Sequence, residues 1–467
     1  MPGPNMLVMH VITRRRALLG VAGSVGALRC ARAAGDPWSR LPDILKRIQP
    51  PRIPDRAFPI TRFDAKEGGR IDNTEAFQKA IDAAAKAGGG RVTVPEGVFL
   101  TGAIHLKSNI NLVVAKGATL KFNPDTKLYP IVLTRFEGLE CMNWSPFVYA
   151  LDQQNIAITG GGTLDGQAGC EHWWPWSGKR DCGTTPGDQR KARVALMEMA
   201  EQGVAPEKRI FGEGGYLRPM FIQPYRCENV LIQDITITNS PMYEIHPVLC
   251  RNVTVRGVTV SSHGPNNDGC DPESSVDVLI DRCTFDTGDD CIAIKSGRNA
   301  DGRRLKRPSE NIIVQNCEMK DGHGGVTMGS ECSGDIRNVY AQDCGMDSPN
   351  LDRVLRFKDN AVRGGVIEHV YMRNVKVGQV AHAAIDVDFY YEEGEKGSFT
   401  PVVRDVEVVN LEVQKCQNAW SLRGFRNAPI RDIRLRDCTF VSAAKSEIAE
   451  NVEGLKLENV KINGKSV

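Results

Sequence analysis

The sequence predicts an all-β protein built as a parallel β-helix, with one helix covering its amino-terminal end. The first observation is a repeat from residue 229 onward, in which Asn or Asp precedes an alternating aliphatic strand and a short turn. The second is composition, since 46 glycines and only 6% aromatic residues among 467 residues indicate many tight turns around an aliphatic core. Length alone would suggest three domains, but a repeat of this kind favours one solenoid.

The repeat is clearest in six segments that share the Asn/Asp-aliphatic pattern. They begin at Asn229, Asn252, Asp277, Asn311, Asp405 and Asp432. The first three follow one another at a nearly constant spacing, and the fourth comes after a local insertion. Leucine-rich repeats have a similar length, but here Val and Ile dominate and no helix-period segment separates the strands. Stacked coils about 4.8 Å apart fit the pattern, with Asn and Gly supplying the left-handed turn residues.

A solenoid has open ends, and the sequence places a helix at the amino-terminal one. Residues 72–75 have the spacing of a capping box, and three glycines at 88–90 close the segment. Four apolar positions lie on one helical face: Phe77, Ala80, Ile81 and Ala84. We therefore expect an amphipathic helix that covers the first coil.

The segment 1–33 is predicted to be an export signal. Arginines at 14–16 precede apolar or small residues from Ala17 to Leu28, and residues 31–33 have the small-x-small order of a cleavage site. The apolar run is too short to span a bilayer, and the arginine pair resembles a twin-arginine signal. We expect a periplasmic or extracellular protein without a membrane span, in which residues 34–467 form a single domain.

Charge and cysteine content narrow the class of protein further. The chain has 59 Lys and Arg against 57 Asp and Glu and no extended basic face, so nucleic acid is not an expected partner. Removing residues 1–33 leaves thirteen of 14 cysteines, an odd number, so at least one thiol is unpaired within the chain. Most cysteines lie in strand patterns and are predicted to be buried, whereas Cys170 and Cys182 could pair. No Cys/His set has zinc spacing.

Two segments depart from the repeat. Residues 166–215, rich in Trp, Gly and charge, are predicted to be a long excursion on the cylinder. Its tryptophans would pack within the excursion or, less favoured, stack on a sugar: Trp173, Trp174 and Trp176. Residues 295–307 carry six cations and one acid, which predicts either a solvated loop or an attraction for a polyanionic substrate.

Polar clusters recur at the spacing of the repeat. Residues 266–269 read Asn-Asn-Asp-Gly and residues 288–291 read Gly-Asp-Asp-Cys. One coil length separates Asp268 from Asp290, so the two stack in adjacent coils. Both aspartates of the second cluster can enter one cleft only if the chain bends at Gly288. His323 and Gly324 reach the next rung after an insertion.

A later segment adds two cations to this face. Alternation along a strand sends Arg356 and Lys358 to one side and Phe357 to the other. Carboxylates, a histidine and cations therefore converge. Such a set suits glycoside hydrolysis by inversion, which needs a carboxylic acid for the leaving oxygen and a carboxylate that activates water. The cations suit a sugar that carries a carboxylate.

The four segments, residues 266–269, 288–297, 322–325 and 356–358, resemble in order the signature blocks of glycoside hydrolase family 28, the polygalacturonases. The resemblance runs from about Phe63 to the carboxyl terminus. It implies a right-handed parallel β-helix over residues 34–467 that hydrolyses pectic galacturonans with inversion and without a metal or cofactor, similar to the bacterial exo-acting members. Asn267 and Phe357 depart from the family pattern, in which Thr and Ile are usual.

The resemblance also implies roles for individual residues. Asp289 would be the general acid, and Asp268 with Asp290 would activate the water. The remaining candidates are His323, which would support the acid, and the substrate-binding set Arg356, Lys358, Asn266, Gly324 and Lys295. The expected partner is a pectic polysaccharide or oligogalacturonide, and the protein is expected to be a monomer.

Other functions remain open from the sequence. A β-helix can be a non-catalytic glycan-binding spike, or a pectate lyase that uses calcium, and among hydrolases rhamnogalacturonan or another pectic glycoside is an alternative substrate. We expect exo action on polygalacturonate, because residues 166–215 and 295–307 could wall off one end of the groove.

Overall fold

Strands that pair in parallel with their equivalents one turn further along the chain account for most of the fold. The structure, a computed structural model, describes residues 36–179, 182–183 and 187–467. It divides into two compact units, Met1–Ser39 and Arg40–Val467. Only residues 36–39 of the first unit are described, so the predicted export signal lies outside the described residues.

The amino-terminal coils of the second unit contain two helices and eleven strands. They are α1 (Leu41–Arg47), β1 (Ala57–Pro59), α2 (Thr74–Lys86), β2 (Gly90–Val94), β3 (Gly97–Thr101), β4 (Ile104–His105), β5 (Ile110–Val114), β6 (Ala118–Phe122), β7 (Ile131–Phe136), β8 (Leu139–Trp144), β9 (Val148–Leu151), β10 (Gln154–Thr159) and β11 (Thr163–Asp165).

The excursion helix and the central coils that follow it come next, and these coils carry most of the polar clusters. They comprise α3 (Arg190–Glu201), β12 (Ile222–Tyr225), β13 (Glu228–Gln233), β14 (Thr236–Thr238), β15 (Arg251–Arg256), β16 (Thr259–Ser262), β17 (Val276–Asp281), β18 (Thr284–Thr287), β19 (Ile292–Ile294), α4 (Asn299–Leu305), β20 (Ser309–Gln315), β21 (Glu318–Met319), β22 (Val326–Met328), β23 (Ile336–Gln342), β24 (Gly345–Met346) and β25 (Leu355–Lys358).

The carboxyl-terminal coils have the longest strands. They comprise β26 (Val366–Gln379), β27 (Ala383–Asp388), β28 (Val402–Cys416), β29 (Asn418–Arg423), β30 (Ile430–Arg436), β31 (Thr439–Ala443), β32 (Ile448–Glu450), β33 (Val452–Glu453), β34 (Lys456–Glu458), β35 (Lys461–Ile462) and β36 (Lys465–Ser466). Short 3-10 helices lie at Ile60–Phe63, Thr126–Leu128, Trp174–Ser177 and Pro206–Lys208.

The core is a stack of aliphatic side chains in register. Val230 of β13 pairs with Val253 of β15, which pairs with Val278 of β17 and then with Ile312 of β20. All four side chains are buried. The predicted repeat is confirmed, and the chain winds as a right-handed parallel β-helix.

The Asn or Asp that opens each repeat has left-handed backbone. Asn229, Asn252, Asp277 and Asn311 have φ of 58°, 56°, 60° and 59°. Their side chains also bond from coil to coil, since Asn252 Nδ2 donates to Asn229 Oδ1 at 2.7 Å and Asn311 Nδ2 donates to Asp277 Oδ1 at 2.9 Å. Asn and Asp tolerate this backbone better than other side chains. The Asn or Asp of each repeat therefore forms the turn and also links its coil to the neighbouring coil by a side-chain hydrogen bond.

Replacing Asn311 by Ala is expected to lower the free energy of unfolding by about 2–3 kcal/mol. The change removes two hydrogen bonds, to Asp277 and from Asn338, worth together about 1–2 kcal/mol. It also places a residue that tolerates the left-handed region less well there, at about 1 kcal/mol. Asn311→Gly should lose less, because glycine accepts that backbone freely. Urea unfolding of both variants checks this, and equal losses would contradict a backbone contribution.

The predicted capping helix is present as α2. Phe77, Ala80, Ile81 and Ala84 are all buried against the first coils, as the helical pattern indicates. The predicted capping box is wrong. The Asn73 side chain is buried and is used instead to hold the preceding loop and β3, through four hydrogen bonds to Lys66, Ile71 and Leu100.

The excursion packs against an antiparallel hairpin that the repeat did not predict. Strands β7 and β8 form this hairpin, and helix α3 lies on β8. They share a small apolar core that includes Phe136, Leu139, Cys141, Leu196, Leu217 and Met220. Trp173 is buried with edge contacts to Tyr129 and Phe147, and Trp174 Nε1 donates to Ser240 O. Trp176, which is partly buried, packs edge-on against Trp173 and Tyr216, so the three tryptophans have the packing contacts expected of them.

The cysteines follow the predicted division. Cys170 and Cys182 form a disulfide. Within the part of the chain that the structure describes, eleven further cysteines are free, and each of them is buried.

Among the described helices, none has the length and apolar content that crossing a membrane requires.

Candidate active site

The site lies on the outward face of the sheet that contains β19, β22, β25 and β27. In β25, Phe357 points into the core, whereas Arg356 and Lys358 point outward, as the alternation predicts. The register places Arg356 beside Thr327 of β22. Both cations therefore enter the same cleft.

A break between β18 and β19 brings two aspartates to this cleft. Gly288 lies in the break, where a Cβ atom would be 2.4 Å from the carbonyl oxygen of Gly264. The Asp290 N–H donates to Asp289 Oδ1 at 3.0 Å, so the two residues do not alternate as in a strand. The bend expected at Gly288 is confirmed.

Backbone hydrogen bonds stack the acidic residues on successive coils. The Gly269 N–H donates to Asp290 O at 3.0 Å, which places Asp268 on the preceding coil. The His323 N–H donates to Asp289 O at 3.1 Å, which places this histidine on the following coil. The stacking inferred from the spacing is confirmed.

Asp268, Asp289 and Asp290 form a group that we call the carboxylate triad. One oxygen of each lies within 4.8 Å of the others. Burial, followed by the negative charge of Asp289, raises the pKa of Asp268 to about 7. In the free protein the carboxylate triad therefore holds one proton below about pH 7 and loses it above.

Asp289 is held ionised by its histidine neighbour. Burial opposes ionisation, but His323 Nδ1 lies 2.9 Å from Asp289 Oδ1, and this bond holds the pKa of the carboxyl below its usual range. The same bond raises the pKa of His323. At mildly acidic pH the two side chains are therefore an imidazolium–carboxylate pair.

Asp290 is the anchor of the two predicted substrate cations. Burial opposes its ionisation, yet Lys358 and Arg356 keep its pKa below the usual range. Lys358 Nζ donates to Asp290 Oδ2 at 2.7 Å, and Arg356 donates to Asp290 Oδ1 at 3.3 Å. The Tyr391 ring lies beside both cations, at 5.7 Å from the guanidinium and 5.4 Å from the ammonium.

Lys295 lies at the site, although it is only 2% exposed. Its ammonium is 3.4 Å from Asp268, 3.5 Å from Asp271 and 3.2 Å from Glu331. It therefore supplies positive charge beneath the carboxylate triad. Its predicted contact with substrate stays a prediction.

Asn266 and Gly324 also lie at the site. Asn266 Oδ1 accepts from the buried Arg218 guanidinium at 2.7 Å, which fixes the amide beside the cleft. A Cβ on Gly324 would be 2.3 Å from Thr327 Oγ1 and 2.9 Å from Asp290 Oδ1, so only glycine leaves room there. All nine predicted site residues are thus brought to one cleft.

Several residues at one end of the cleft were not found from the sequence. A polar cavity of about 80 Å³ opens beside Asp268, Asp289 and Lys358. Its other lining residues include Glu137, Arg193, Arg298, Glu331 and Glu392. They come from the hairpin, the excursion helix and loops, which lie outside the repeat and therefore outside its register.

An ion-pair network, here called the end wall, closes this cavity. Glu137 at the hairpin tip accepts from Arg193 of α3 at 2.5 Å and from Arg298 at 3.2 Å. Glu392, on a later coil, accepts from Arg298 at 3.1 Å and lies 3.9 Å from Arg193. Elements far apart in sequence are joined across this end of the cleft.

Residues 295–307 fit the solvated-loop interpretation only in part, since Lys306 and Arg307 are exposed whereas other cations of the segment are paired. The segment forms helix α4 and its approach, and Arg298 is buried in the end wall. Arg304 pairs with Glu140 and Asp301, and Asp301 pairs in turn with the buried Arg209. Arg298 and Arg304 are therefore structural partners of acids on the hairpin, Glu137 and Glu140, which the local sequence does not show.

Two groups of described residues have a geometry that could hold a cation. One is the carboxylate triad and the other is His263 with Asp286 and Asp321. In the carboxylate triad, both Asp290 oxygens already bond Lys358 and Arg356.

The fold and this acid-lined cleft define a β-helix hydrolase, and comparisons with known proteins give the family. The model of glycosyl hydrolases family 28 matches residues 208–463. The crystal structure of a hyperthermoactive exopolygalacturonase from Thermotoga maritima is 47% identical, with a TM-score of 0.89, and the match covers 92% of this chain and 96% of that one. The chain belongs to glycosyl hydrolase family 28 and is a glycoside hydrolase.

Two curated relatives show the same similarity at lower identity. A probable polygalacturonase from Vitis vinifera is 26% identical over 421 residues, covering 85% of this chain and 77% of the relative. An exo-poly-alpha-D-galacturonosidase from Dickeya chrysanthemi is 28% identical over 380 residues, covering 76% of this chain and 62% of the relative.

Proposed function

We propose that this enzyme hydrolyses α-1,4-galacturonosyl linkages of polygalacturonate from the chain end, with inversion. The observation that carries the proposal is the carboxylate triad held beside Arg356 and Lys358 in one cleft. Two cations next to the reacting groups suit a sugar with a carboxylate. The names of the Thermotoga and Dickeya relatives agree with this substrate and with exo action.

In this mechanism Asp289 protonates the leaving oxygen, and Asp268 with Asp290 holds the attacking water. His323 orients the acid through its 2.9 Å bond. A galacturonate carboxylate binds Arg356 and Lys358. In the free protein both cations bond Asp290.

The free protein keeps the triad proton on Asp268, whereas the reaction needs it on Asp289. A bound galacturonate adds a negative charge and excludes water, and both effects raise the pKa of a nearby carboxyl. Substrate binding therefore favours a protonated Asp289, and in this proposal that proton serves the acid while the base work falls to Asp268 with Asp290. After the reaction Asp289 has given its proton to the leaving oxygen, and Asp268 with Asp290 holds the proton taken from the water. Release of the product returns the enzyme to its substrate-free protonation state.

The cavity at the end wall supports one direction of the polygalacturonate chain in the cleft. Both Asp268 and Asp289 line the cavity beside the end wall, and the proposal places the sugar whose anomeric carbon reacts against that wall. His323, the partner of the acid, lies on the coil after Asp289, toward the carboxyl-terminal coils. The leaving part of the chain therefore lies over later coils, and cleavage begins at the non-reducing end.

The products of polygalacturonate test substrate, direction and stereochemistry together. We expect early release of only mono- or digalacturonate, with the new reducing end in the β-configuration by proton NMR. A ladder of intermediate oligomers would refute exo action, and an unsaturated product would refute hydrolysis. The triad oxygens lie within 4.8 Å of one another, closer than the separation of about 6.5–9.5 Å between the carboxyl groups of typical inverting enzymes. An initial product in the α-configuration would therefore mean that one carboxylate acts as a nucleophile and that the reaction retains configuration.

We also propose that the protein is exported and acts as a monomer. The arginine pair and apolar run of residues 14–28 support export. Cleavage after residue 33 in the secreted protein, seen by amino-terminal sequencing, would support the first statement. Light scattering tests the second, and a dimer mass would refute it.

A further inference from the structure

The face that carries Lys358 continues along the coils toward the carboxyl terminus. Lys358 of β25 is in register with Asp388 of β27, which is in register with Arg423 of β29. In-register residues of neighbouring parallel strands point the same way, and each coil adds about 4.8 Å. Arg423 therefore projects from the same face, about 10 Å beyond the cations of the site.

Arg423 stands over an aromatic ring, as the site cations do. Its guanidinium carbon is 4.9 Å from the centre of the Tyr390 ring, and that ring is in edge contact with Phe425 at 5.0 Å. Tyr390 is 37% exposed. The arrangement repeats the pairing of Arg356 and Lys358 with Tyr391, in an open position.

Arg423 has donors available for a ligand. Its side chain is 41% exposed, and its ion pair within the described residues is a 3.4 Å contact from Nε to Glu450. An exposed pair of this kind contributes little, about 0–1 kcal/mol. The two terminal nitrogens can therefore receive a carboxylate in a bidentate way.

We propose that Arg423 and Tyr390 form a distal subsite for a galacturonate unit on the leaving side of the chain. The inference rests on the proposed function and deepens it. Arg423 binds the carboxylate of that unit, and the Tyr390 ring packs on its sugar face. The enzyme then favours long chains over digalacturonate, which does not reach two coils beyond the catalytic cations.

The test is the ratio of kcat/KM for pentagalacturonate to that for digalacturonate. We expect Arg423→Ala to lower this ratio about tenfold, as for the loss of one charge-assisted hydrogen bond. Tyr390→Ala should lower it as well, and Tyr390→Phe, which keeps the ring, should not. Arg426→Ala is the matched control, since Arg426 is an exposed arginine close by on the same chain segment.

An unchanged ratio in both Arg423→Ala and Tyr390→Ala, with thermal unfolding like the parent, overturns the subsite. Wild-type protein that cleaves neither oligomer would instead contradict the proposed function. In that case titration calorimetry with pentagalacturonate decides the subsite separately, because Arg423→Ala should weaken binding about tenfold. Equal affinities would overturn it.

Discussion

Replacing Asp289 by Asn is expected to lower kcat for polygalacturonate about 1000-fold while leaving pentagalacturonate binding nearly unchanged. The amide keeps the shape and can still bond His323, but it has no proton to give to the leaving oxygen. General acid catalysis contributes about 10²–10⁴-fold, which sets the size of the effect. Steady-state rates and calorimetric titration of the same preparation measure the two parts.

Asp286→Asn provides the control for that variant. Asp286 lies shortly before the break in the same chain segment, bonds His263 at 2.8 Å and does not belong to the carboxylate triad. Its rate should stay within about twofold of the parent. A full rate in Asp289→Asn would show that Asp289 is not the general acid.

Replacing Lys358 by Met is expected to lower kcat/KM about 100-fold and to move the acid limb of its pH profile upward. Lys358 is the first of the two cations that hold the pKa of Asp290 down against burial. Without it the Asp290 pKa rises, so the carboxylate is lost at a higher pH as the solution is acidified. One charged hydrogen bond and one substrate contact are removed together.

Lys358→Arg keeps the positive charge at this position but changes the shape of the side chain, so it shows which of the two matters. It should retain the acid limb near its original pH while losing part of the rate, because a guanidinium does not fit the ammonium position. Lys376→Met, on an exposed position of β26, should match the parent. An acid limb that does not move in Lys358→Met would show that Asp290 does not control it.

The repeat and its register could be predicted from the sequence because both are local. Val230 and Val253 fall at the same place in successive coils, and the spacing of Asp268 and Asp290 then follows from one coil length. The break at Gly288 was also foreseeable, since two adjacent aspartates cannot share one face of a regular strand.

The end wall could not be predicted in the same way. Glu137, Arg193 and Glu392 meet although they lie far apart in the sequence, and none of them occupies a position of the repeat. Ion pairs between insertions depend on how loops fold over the cylinder, for which no periodicity exists. The role of Arg304 in α4 was misjudged for the same reason, because its partner Glu140 lies on the unpredicted hairpin.

The eleven buried thiols have a consequence for the order of folding and transport. An unfolded chain that enters an oxidising compartment would present each thiol to every other, and mispaired bridges would form as it collapsed. A chain that folds beforehand presents none of these eleven, because each is buried. Under the export proposed above, the burial of these cysteines favours a chain that folds before it crosses the membrane over one that folds afterwards.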